Sequence, residues 1–101
     1  MADAILYALY RRPADPAGFL SHYAETHLPL AAAMPGLVDL THGLVQQPIL
    51  GRDDWFYMAR LRFRDRDALG AALASPEGSA AARDLARFAR GLVELFVVEE
   101  A

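Results

Sequence analysis

The amino-acid sequence predicts an α+β fold in which a four-stranded antiparallel sheet carries helices on one of its faces. Three observations predict it. Four short segments have the continuous apolar or alternating pattern of β-strands. Two longer segments between them have apolar residues at helical spacing, and each contains a capping residue followed by proline. The expected order is therefore β-α-β-β-α-β in one domain of 101 residues, without repeat or linker.

The first strand is a continuous apolar run. Residues 4–10, AILYALY, are too few for a helix and rich in β-forming residues, which predicts a strand buried on both faces. A helix is expected over 16–33, because Asp15 and Pro16 supply an N-cap and a proline at the first helical position. Pro29 has no N–H to donate within this helix, so we expect a kink or a step there.

The second and third strands are expected on either side of a loop. Residues 37–46 alternate moderately between apolar and polar, and Gly43 is where a bulge would fit. The loop, 46–54, contains Pro, Gly and Asp-Asp. Residues 55–64 alternate more clearly. One face is expected to hold Trp55, Tyr57, Ala59, Leu61 and Phe63, and the other Phe56, Met58, Arg60, Arg62 and Arg64.

The second helix is expected in two parts. Asp65 caps a short helix, and Ser-Pro-Glu at 75–77 restarts it. The continuation to about residue 89 is expected to pack Ala81, Leu85 and Phe88 inward and to keep Arg83, Asp84 and Arg87 in water. Residues 92–98, LVELFVV, predict a last strand that is buried apart from its single glutamate.

This order of elements is the ferredoxin-like arrangement, because two right-handed crossovers place four strands in one antiparallel sheet and both helices on the same face. Two helices cannot cover both faces of the sheet, yet the first and last strands are apolar on both sides. An exposed apolar face on a small protein marks an interface. We therefore expect a two-fold homodimer in which two sheets face each other and enclose a barrel-like space.

Composition and charge exclude several classes of function. The formal net charge is −3, and the ten basic residues, all arginine, are scattered among acidic ones, which argues against nucleic-acid binding. The absence of cysteine excludes disulfides, thiolate metal sites and cysteine nucleophiles. The first apolar run lacks the basic flank of a signal peptide. No apolar run approaches the roughly 20 residues that span a bilayer, so a cytoplasmic protein is expected.

His27 is the principal candidate for chemistry, because it projects from the apolar face of the first helix beside the expected defect at Pro29. An imidazole with a pKa near 6.5 can take up or release a proton at neutral pH, and burial would lower that pKa. We expect His27 to face the space enclosed by the dimer; the alternative is a core histidine satisfied by a backbone carbonyl. Tyr23 would donate a hydrogen bond to a substrate oxygen, or simply pack in the core. His22, on the polar face, is expected in solvent.

Further residues are candidates for contacts with a bound molecule: Tyr7, Met34, His42, Trp55 and Arg60. An arginine in the third strand would bind a carboxylate or stabilise an enolate, and the alternative is a side chain that reaches solvent at the barrel rim. Aromatic residues in strands are more often core residues. No metal is expected, because a His27–His42 pair would lack a third ligand. No phosphate loop or dinucleotide fingerprint predicts a cofactor.

Several segments together also resemble a known family. They are YRRP at 10–13, F-x3-Y-x3-H-x-P-L at 19–30, MPGL at 34–37, AALASPEG at 71–78 and VVEE at 97–100. In this pattern the chain resembles the EthD family of small dimeric α+β-barrel proteins over essentially its full length. The resemblance implies the ferredoxin-like fold and the homodimer. The namesake of the family is linked to bacterial degradation of ethyl tert-butyl ether, where it accompanies an oxygenase system.

The resemblance leaves the reaction open, since related dimeric α+β barrels include muconolactone isomerases, polyketide cyclases, cofactor-free monooxygenases and haem-degrading enzymes. One hypothesis is an enzyme that acts on a small, mostly apolar oxygenated molecule, with His27 as general acid/base and Tyr23 assisting. The other is a non-catalytic ligand-binding or accessory protein of an oxygenase pathway. One departure is that the family often carries an acidic residue in the third strand where this chain has Arg60.

Overall fold

The computed structural model describes residues 2–101 and places four strands in one antiparallel sheet. The strands are β1 (Asp3–Arg11), β2 (Leu37–Leu44), β3 (Trp55–Phe63) and β4 (Val93–Glu100). Their order across the sheet is β2-β3-β1-β4, so the central pair is β3 and β1. This strand order, with the helices packed on one face, is the ferredoxin-like arrangement that the sequence predicted.

Three of the four helices begin directly after the predicted capping residues. They are α1 (Pro16–His22), α2 (Leu28–Ala32), α3 (Arg66–Ala74) and α4 (Pro76–Phe88), and a π-helical turn (Tyr23–His27) joins α1 to α2. The side chains of Asp15, Asp65 and Ser75 each accept a hydrogen bond from the backbone N–H three residues later, at 3.1, 2.8 and 3.0 Å. These bonds satisfy N–H groups that have no partner within a helix, and they fix where α1, α3 and α4 start.

The core lies between the helices and one face of the sheet. Alternate residues of β1 supply its centre and pair across the sheet with alternate residues of β3. The pairs are Ala4 with Phe63, Leu6 with Leu61, Ala8 with Ala59 and Tyr10 with Tyr57, all buried. Phe19, Tyr23, Ala31, Leu69 and Ala72 of the helical segments cover them, together with Met34 in the turn after α2. Two small residues, Ala8 and Ala59, thus face each other in the middle of the sheet, where they leave room above them.

Two irregularities in the sheet differ from the predicted alternation. The bulge in β2 lies between Leu37 and Asp39 and not at Gly43. A second irregularity lies between Tyr10 and Arg11, opposite the start of β3. Tyr10 pairs with Tyr57 and Arg11 with Trp55, so the pairing skips Phe56 and the alternation of faces is interrupted there. The Phe56 ring packs edge-on against Phe19, 5.5 Å between centroids, although the alternation had placed it on the other face.

The second face of the sheet carries no helix. Tyr7 of β1 stacks on Phe96 of β4 there, with 5.6 Å between ring centroids, and Leu9, Met58 and Val98 lie on the same face by register. At one end of this face Arg62 pairs with Asp3 and Asp39, at 3.0 and 2.5 Å. The prediction of an uncovered apolar sheet face is confirmed, since Phe96 is 45% exposed. Within residues 2–101, no helix has the length and apolar character needed to cross a membrane.

Candidate functional site

The π-helical turn at Tyr23–His27 is the local feature that shapes the site. The N–H of Leu28 donates to the carbonyl of Tyr23, five residues earlier, which defines the widened turn. Pro29 follows directly; it has no N–H for the carbonyl of Glu25, and its ring crowds that carbonyl. The expected step in the helix is therefore found in the turn that precedes the proline. It lets the helix continue while both Tyr23 and His27 remain buried.

His27 lies in the apolar interior, 6% exposed, with its ring 4.9 Å from Phe88 and 5.6 Å from Tyr23 between centroids. Its Nδ1 lies 3.0 Å from Oδ2 of Asp84. Burial lowers the pKa of His27, although the hydrogen bond and the charge of Asp84 act in the opposite direction. Because a carboxylate only accepts, the neutral ring carries its proton on Nδ1 and has a free lone pair on Nε2. The lone pair on Nε2 can therefore accept a proton.

Asp84 is the site residue that the sequence analysis missed. It was expected in water, and this was wrong: Asp84 is 6% exposed and accepts hydrogen bonds from two histidines. The helical repeat carried a signal for this position. Residues three and four apart share a face of a helix, so Asp84 falls between Ala81 and Phe88 on the buried side of α4. A carboxylate on the buried side of α4 needs hydrogen-bond donors, and His22 and His27 provide them.

His22 is the second partner of Asp84. Its Nε2 lies 2.9 Å from Oδ1 and 3.0 Å from Oδ2 of the carboxylate. Its side chain is 34% exposed, so the expectation that it is solvated is only partly right. The imidazole also packs against Phe88, 4.7 Å between centroids. His22 therefore connects the buried carboxylate to the solvent side of the helix.

A group of tyrosines lies beside His27. Tyr23 packs against Tyr57 and Tyr10, with ring centroids 4.7 and 5.9 Å apart. Burial raises the pKa of Tyr23 and of Tyr10 far above the ordinary value near 10, so both hydroxyls keep their protons at physiological pH. At the edge of the group Nδ1 of His42 lies 2.6 Å from the hydroxyl of Tyr57. The tyrosines can therefore donate hydrogen bonds but cannot act as bases.

A cavity of about 80 Å³ lies between the sheet and the helices, with His27, Tyr23 and Tyr10 in its wall. The rest of the wall is apolar and includes several small residues, among them Ala8, Ala31, Ala59, Gly78 and Ala81. Leu73 and Leu95 are exposed and line the side that is open to solvent. Typical sites for drug-sized molecules measure roughly 300–1,000 Å³. This cavity therefore suits a ligand of a few non-hydrogen atoms.

The structure divides the predicted site residues between several places. His27, Tyr23 and Met34 line the cavity together. His42 is exposed on β2, next to Tyr57, and contacts the ring of Tyr23 at 5.6 Å. The expectation that His27 faces the space between two sheets is wrong, because the cavity that His27 lines is on the helix-covered face of the sheet.

The three other candidates lie outside the cavity. Tyr7 and Arg60 are paired across β1 and β3 on the uncovered face of the sheet, and Arg60 bonds to Glu100 at 2.8 Å. Trp55 lies against the guanidinium groups of Arg11 and Arg52, 5.9 and 5.3 Å from its ring centroid. The sequence could not reveal which face of the sheet holds the cavity. Across residues 2–101, no three His, Asp or Glu side chains are arranged to hold a metal ion.

The fold and the site define a class of protein, a ferredoxin-like α+β chain with a histidine–carboxylate pair in the wall of an apolar cavity. Residues 11–91 match the family model described as the EthD domain, and the chain belongs to this family. An uncharacterised 11.0 kDa protein from Rhodococcus erythropolis, encoded in the thcB-thcC intergenic region, is 36% identical over 92 residues. That match covers 91% of this chain and 89% of the relative.

Solved structures show the same fold. An EthD family protein from Bacillus halodurans superposes with a TM-score of 0.93 at 33% identity, over 100% of both chains. A protein of unknown function from Jannaschia, described as dimeric and ferredoxin-like, has a TM-score of 0.75 at 20% identity and covers 96% of this chain and 98% of its own. A mutant form of SnoaB from Streptomyces nogalater, described as a cofactor-independent oxygenase, has a TM-score of 0.64 at 26% identity. The match covers 95% of this chain and 90% of SnoaB.

Proposed function

We propose that this protein is a homodimeric enzyme that binds a small, mostly apolar oxygenated molecule between the helices and the sheet and uses His27 as its general acid/base. The observation that carries the proposal is the hydrogen bond of 3.0 Å between Nδ1 of His27 and Asp84, in the wall of an apolar cavity. It holds the ring in one orientation and leaves Nε2 free to accept a proton. The carboxylate then stabilises the imidazolium that forms.

Tyr23 is proposed to assist at the oxygen of the bound molecule. Removing a proton next to a carbonyl or from a phenol places negative charge on oxygen, and a donor aimed at that oxygen stabilises the charge. Burial keeps the hydroxyl of Tyr23 protonated, as a donor must be, because it raises the pKa of this group. The apolar wall around His27 and Tyr23 limits the water that would compete for the same hydrogen bonds.

Proton transfer by one imidazole serves several reactions: isomerisation, cyclisation, dehydration and cofactor-free oxidation each begin with such a step. The size and the apolar wall of the cavity favour ketones, ethers and phenols of few atoms over charged metabolites. The likeness to SnoaB supports the oxidation among these reactions. The description of the Bacillus halodurans relative names ethyl tert-butyl ether, which supports a small oxygenated compound as the bound molecule.

A second candidate function is non-catalytic binding of such a molecule, in support of an oxygenase. The observation that favours it is the small volume of the cavity, which leaves little space for the bound molecule to change shape during a reaction. In that case His27 would only donate or accept a hydrogen bond to the ligand. Ligand contact would then persist while no turnover accompanied it.

The test begins with binding. A panel of small ketones, ethers and phenols is titrated into ¹⁵N-labelled protein, and shifts are expected at His27, Tyr23 and Met34 but not at Arg60. Ala82 is exposed and lines the cavity, so Ala82→Leu should narrow the opening and weaken binding at little cost to the fold. Shifts confined to the uncovered sheet face would contradict the proposed site.

Turnover decides between the two functions. For any compound that binds, product formation is followed by mass spectrometry with the wild type and with His27→Gln. The enzyme hypothesis expects a loss of about 100-fold or more in kcat, since general acid–base catalysis contributes about 10²–10⁴-fold. A folded His27→Gln dimer with full turnover would remove His27 from the mechanism. Binding without turnover in the wild type would support the accessory role.

A further inference from the structure

Asp84 receives hydrogen bonds from two imidazoles of the same helical segment. His22 is the last residue of α1, and His27 is the last residue of the π-helical turn. The nitrogen that approaches the carboxylate differs between the rings: it is Nε2 in His22, at 2.9 Å, and Nδ1 in His27, at 3.0 Å. A carboxylate can only accept, so both nitrogens donate N–H. One negative charge is thus shared by two groups that can each become positive.

We propose that His22, Asp84 and His27 form a unit that holds one positive charge, carried by either imidazole, and that His22 is a positioning residue whose charge sets how readily His27 takes up a proton. The hydrogen bonds allow the exchange without rearrangement. The nitrogens that face Asp84 keep their protons in every state, and the protons that come and go sit on Nδ1 of His22 and Nε2 of His27. The charge can therefore pass from ring to ring while no hydrogen bond is lost.

The proton balance of this exchange closes. When His27 takes a proton from a bound molecule, an N–H bond forms at its Nε2. The N–H bond at Nδ1 of a charged His22 then breaks, and that proton passes to water, which reaches this partly exposed ring. The net charge of the three side chains is the same before and after. A second positive charge would lack a negative partner in a site where Asp84 and His27 are buried, and that is costly.

Among residues 2–101, Asp84 and His22 are the only charged groups that act on the pKa of His27. Phe88 packs on both rings, and Tyr23 and Tyr10 are the neighbouring titratable groups from the first helix and from β1. Both tyrosines stay neutral, because burial raises the pKa of each. The charge of His22 in turn lowers the pKa of His27, as the proposed competition requires. The use of this unit in acid/base work rests on the proposed function, whereas the charge sharing is a property of the free protein.

The test is an NMR titration of the histidine side-chain nitrogens between about pH 4.5 and pH 8.5, without ligand. In His22→Gln the amide still donates to Asp84 but carries no charge, and the pKa of His27 should rise by about half a unit or more. Asp84→Asn removes the negative partner, so the pKa of His27 should fall. Arg87→Gln is the matched control, because it removes an exposed cation of α4 that does not contact Asp84, and it should leave the pKa of His27 within about 0.2 units.

The pKa of His27 is expected to rise in His22→Gln and to fall in Asp84→Asn, and this difference separates a charge effect from loosening of the core. Loosening would move the pKa of His27 toward the ordinary value near 6.5 in both variants. The proposal is overturned if His22→Gln leaves that pKa unchanged, or if His27 stays unprotonated down to the lowest pH in the wild type and in His22→Gln alike. His22→Asn serves as a second neutral variant. If the two histidines titrate as proposed but none of the small molecules in the panel binds, the proposed function is contradicted and the charge sharing still holds.

Discussion

At the scale of single residues, the pKa of His27 links the site to the stability of the fold. Burial lowers this pKa in the folded state, while an exposed histidine in the unfolded chain titrates near 6.5. Between these two values the unfolded chain binds a proton that the folded chain does not bind. Stability therefore falls as the pH drops below about 6.5, and it is fully present above that value.

We expect this slope to depend on residue 27. Denaturation by urea at about pH 5.5 and pH 7.5 should show a loss of stability in acid of up to about 1.4 kcal/mol per pH unit from this group. The loss should be smaller in His27→Gln. Tyr23→Phe alters the same core without removing a group that titrates in this range, so it should keep the wild-type slope. An equal slope in wild type and His27→Gln would show that the pKa of His27 is not lowered.

The second prediction concerns Asp84, whose removal leaves the buried N–H of His27 without a partner and removes the carboxylate acceptor of the partly exposed His22. An unsatisfied buried polar group costs about 1–3 kcal/mol, so Asp84→Ala should lower the free energy of unfolding at pH 7 by roughly 2–4 kcal/mol. The neighbouring Arg83 is exposed, and Arg83→Ala should change stability by less than about 0.5 kcal/mol. A similarly small effect of Asp84→Ala would mean that the carboxylate does not hold the two rings.

The candidate residues show what a single sequence can and cannot reveal. His27, Tyr23 and Met34 were found because helical spacing places them on one apolar face, and they do share the cavity. Asp84 was missed because an acidic side chain was assigned to water, although its spacing from Phe88 put it on the buried face. Tyr7 was placed in the site because alternation identifies two faces of a strand without telling which of them carries the cavity.

At the scale of elements, the contact between α3 and α4 depends on Gly78. A methyl group added at this position would overlap the carbonyl oxygen of Ala72 and lie 2.8 Å from that of Leu73. Both obstacles are backbone atoms, so they cannot move aside without shifting the end of α3. The glycine of the Ser-Pro-Glu-Gly segment is therefore needed for the close approach of the two helices, beyond the capping role that the segment suggested.

Substitution at this position gives the third prediction. Gly78→Ala should destabilise the protein by about 3 kcal/mol, because the overlap must be relieved by moving one helix. Gly70→Ala is the matched control in α3, since nothing lies within 4 Å of the added methyl group. It should stabilise the protein by about 0.5–1 kcal/mol, the usual gain of alanine over glycine in a helix. Thermal unfolding of the two variants checks both signs, and equal effects would refute the steric explanation.

The order and type of the elements could be predicted from local patterns, because caps, prolines and periodicity act within a few residues. Asp15, Asp65 and Ser75 were recognised as caps, and each makes the expected bond. The bulge between Leu37 and Asp39 and the irregularity after Tyr10 could not be predicted in place. They depend on how β3 pairs with both neighbouring strands, which is a property of the assembled sheet.

At the scale of the whole molecule, the uncovered sheet face favours a second copy of this chain as its partner. Its apolar side chains come from β1, β3 and β4, and Tyr7 and Phe96 already stack on each other there. Neighbouring structures such as the Jannaschia protein are described as dimeric. The ion pairs of Arg62 and Arg60 close one end of the face, so a partner sheet is expected to pack on the apolar part.

The last prediction follows from this geometry. Phe96→Glu places a charge in the middle of the expected interface, and desolvating that charge on association would cost more than the interface gains. The wild type should elute with twice the mass of the chain in size-exclusion chromatography with light scattering, and the variant with the mass of one chain. Because Phe96 is exposed in the isolated chain, the variant should keep its circular dichroism spectrum.

Leu50→Glu provides the control, since Leu50 is 96% exposed in the loop between β2 and β3 and does not belong to the sheet face. This variant should remain a dimer. The cavity lies on the opposite face of the sheet, so a monomeric Phe96→Glu chain should still show the coupled titration of His22 and His27. A wild type that runs as a monomer would contradict the dimer directly, whereas loss of the coupled titration in the monomer would show that the partner subunit supports the site from behind the sheet.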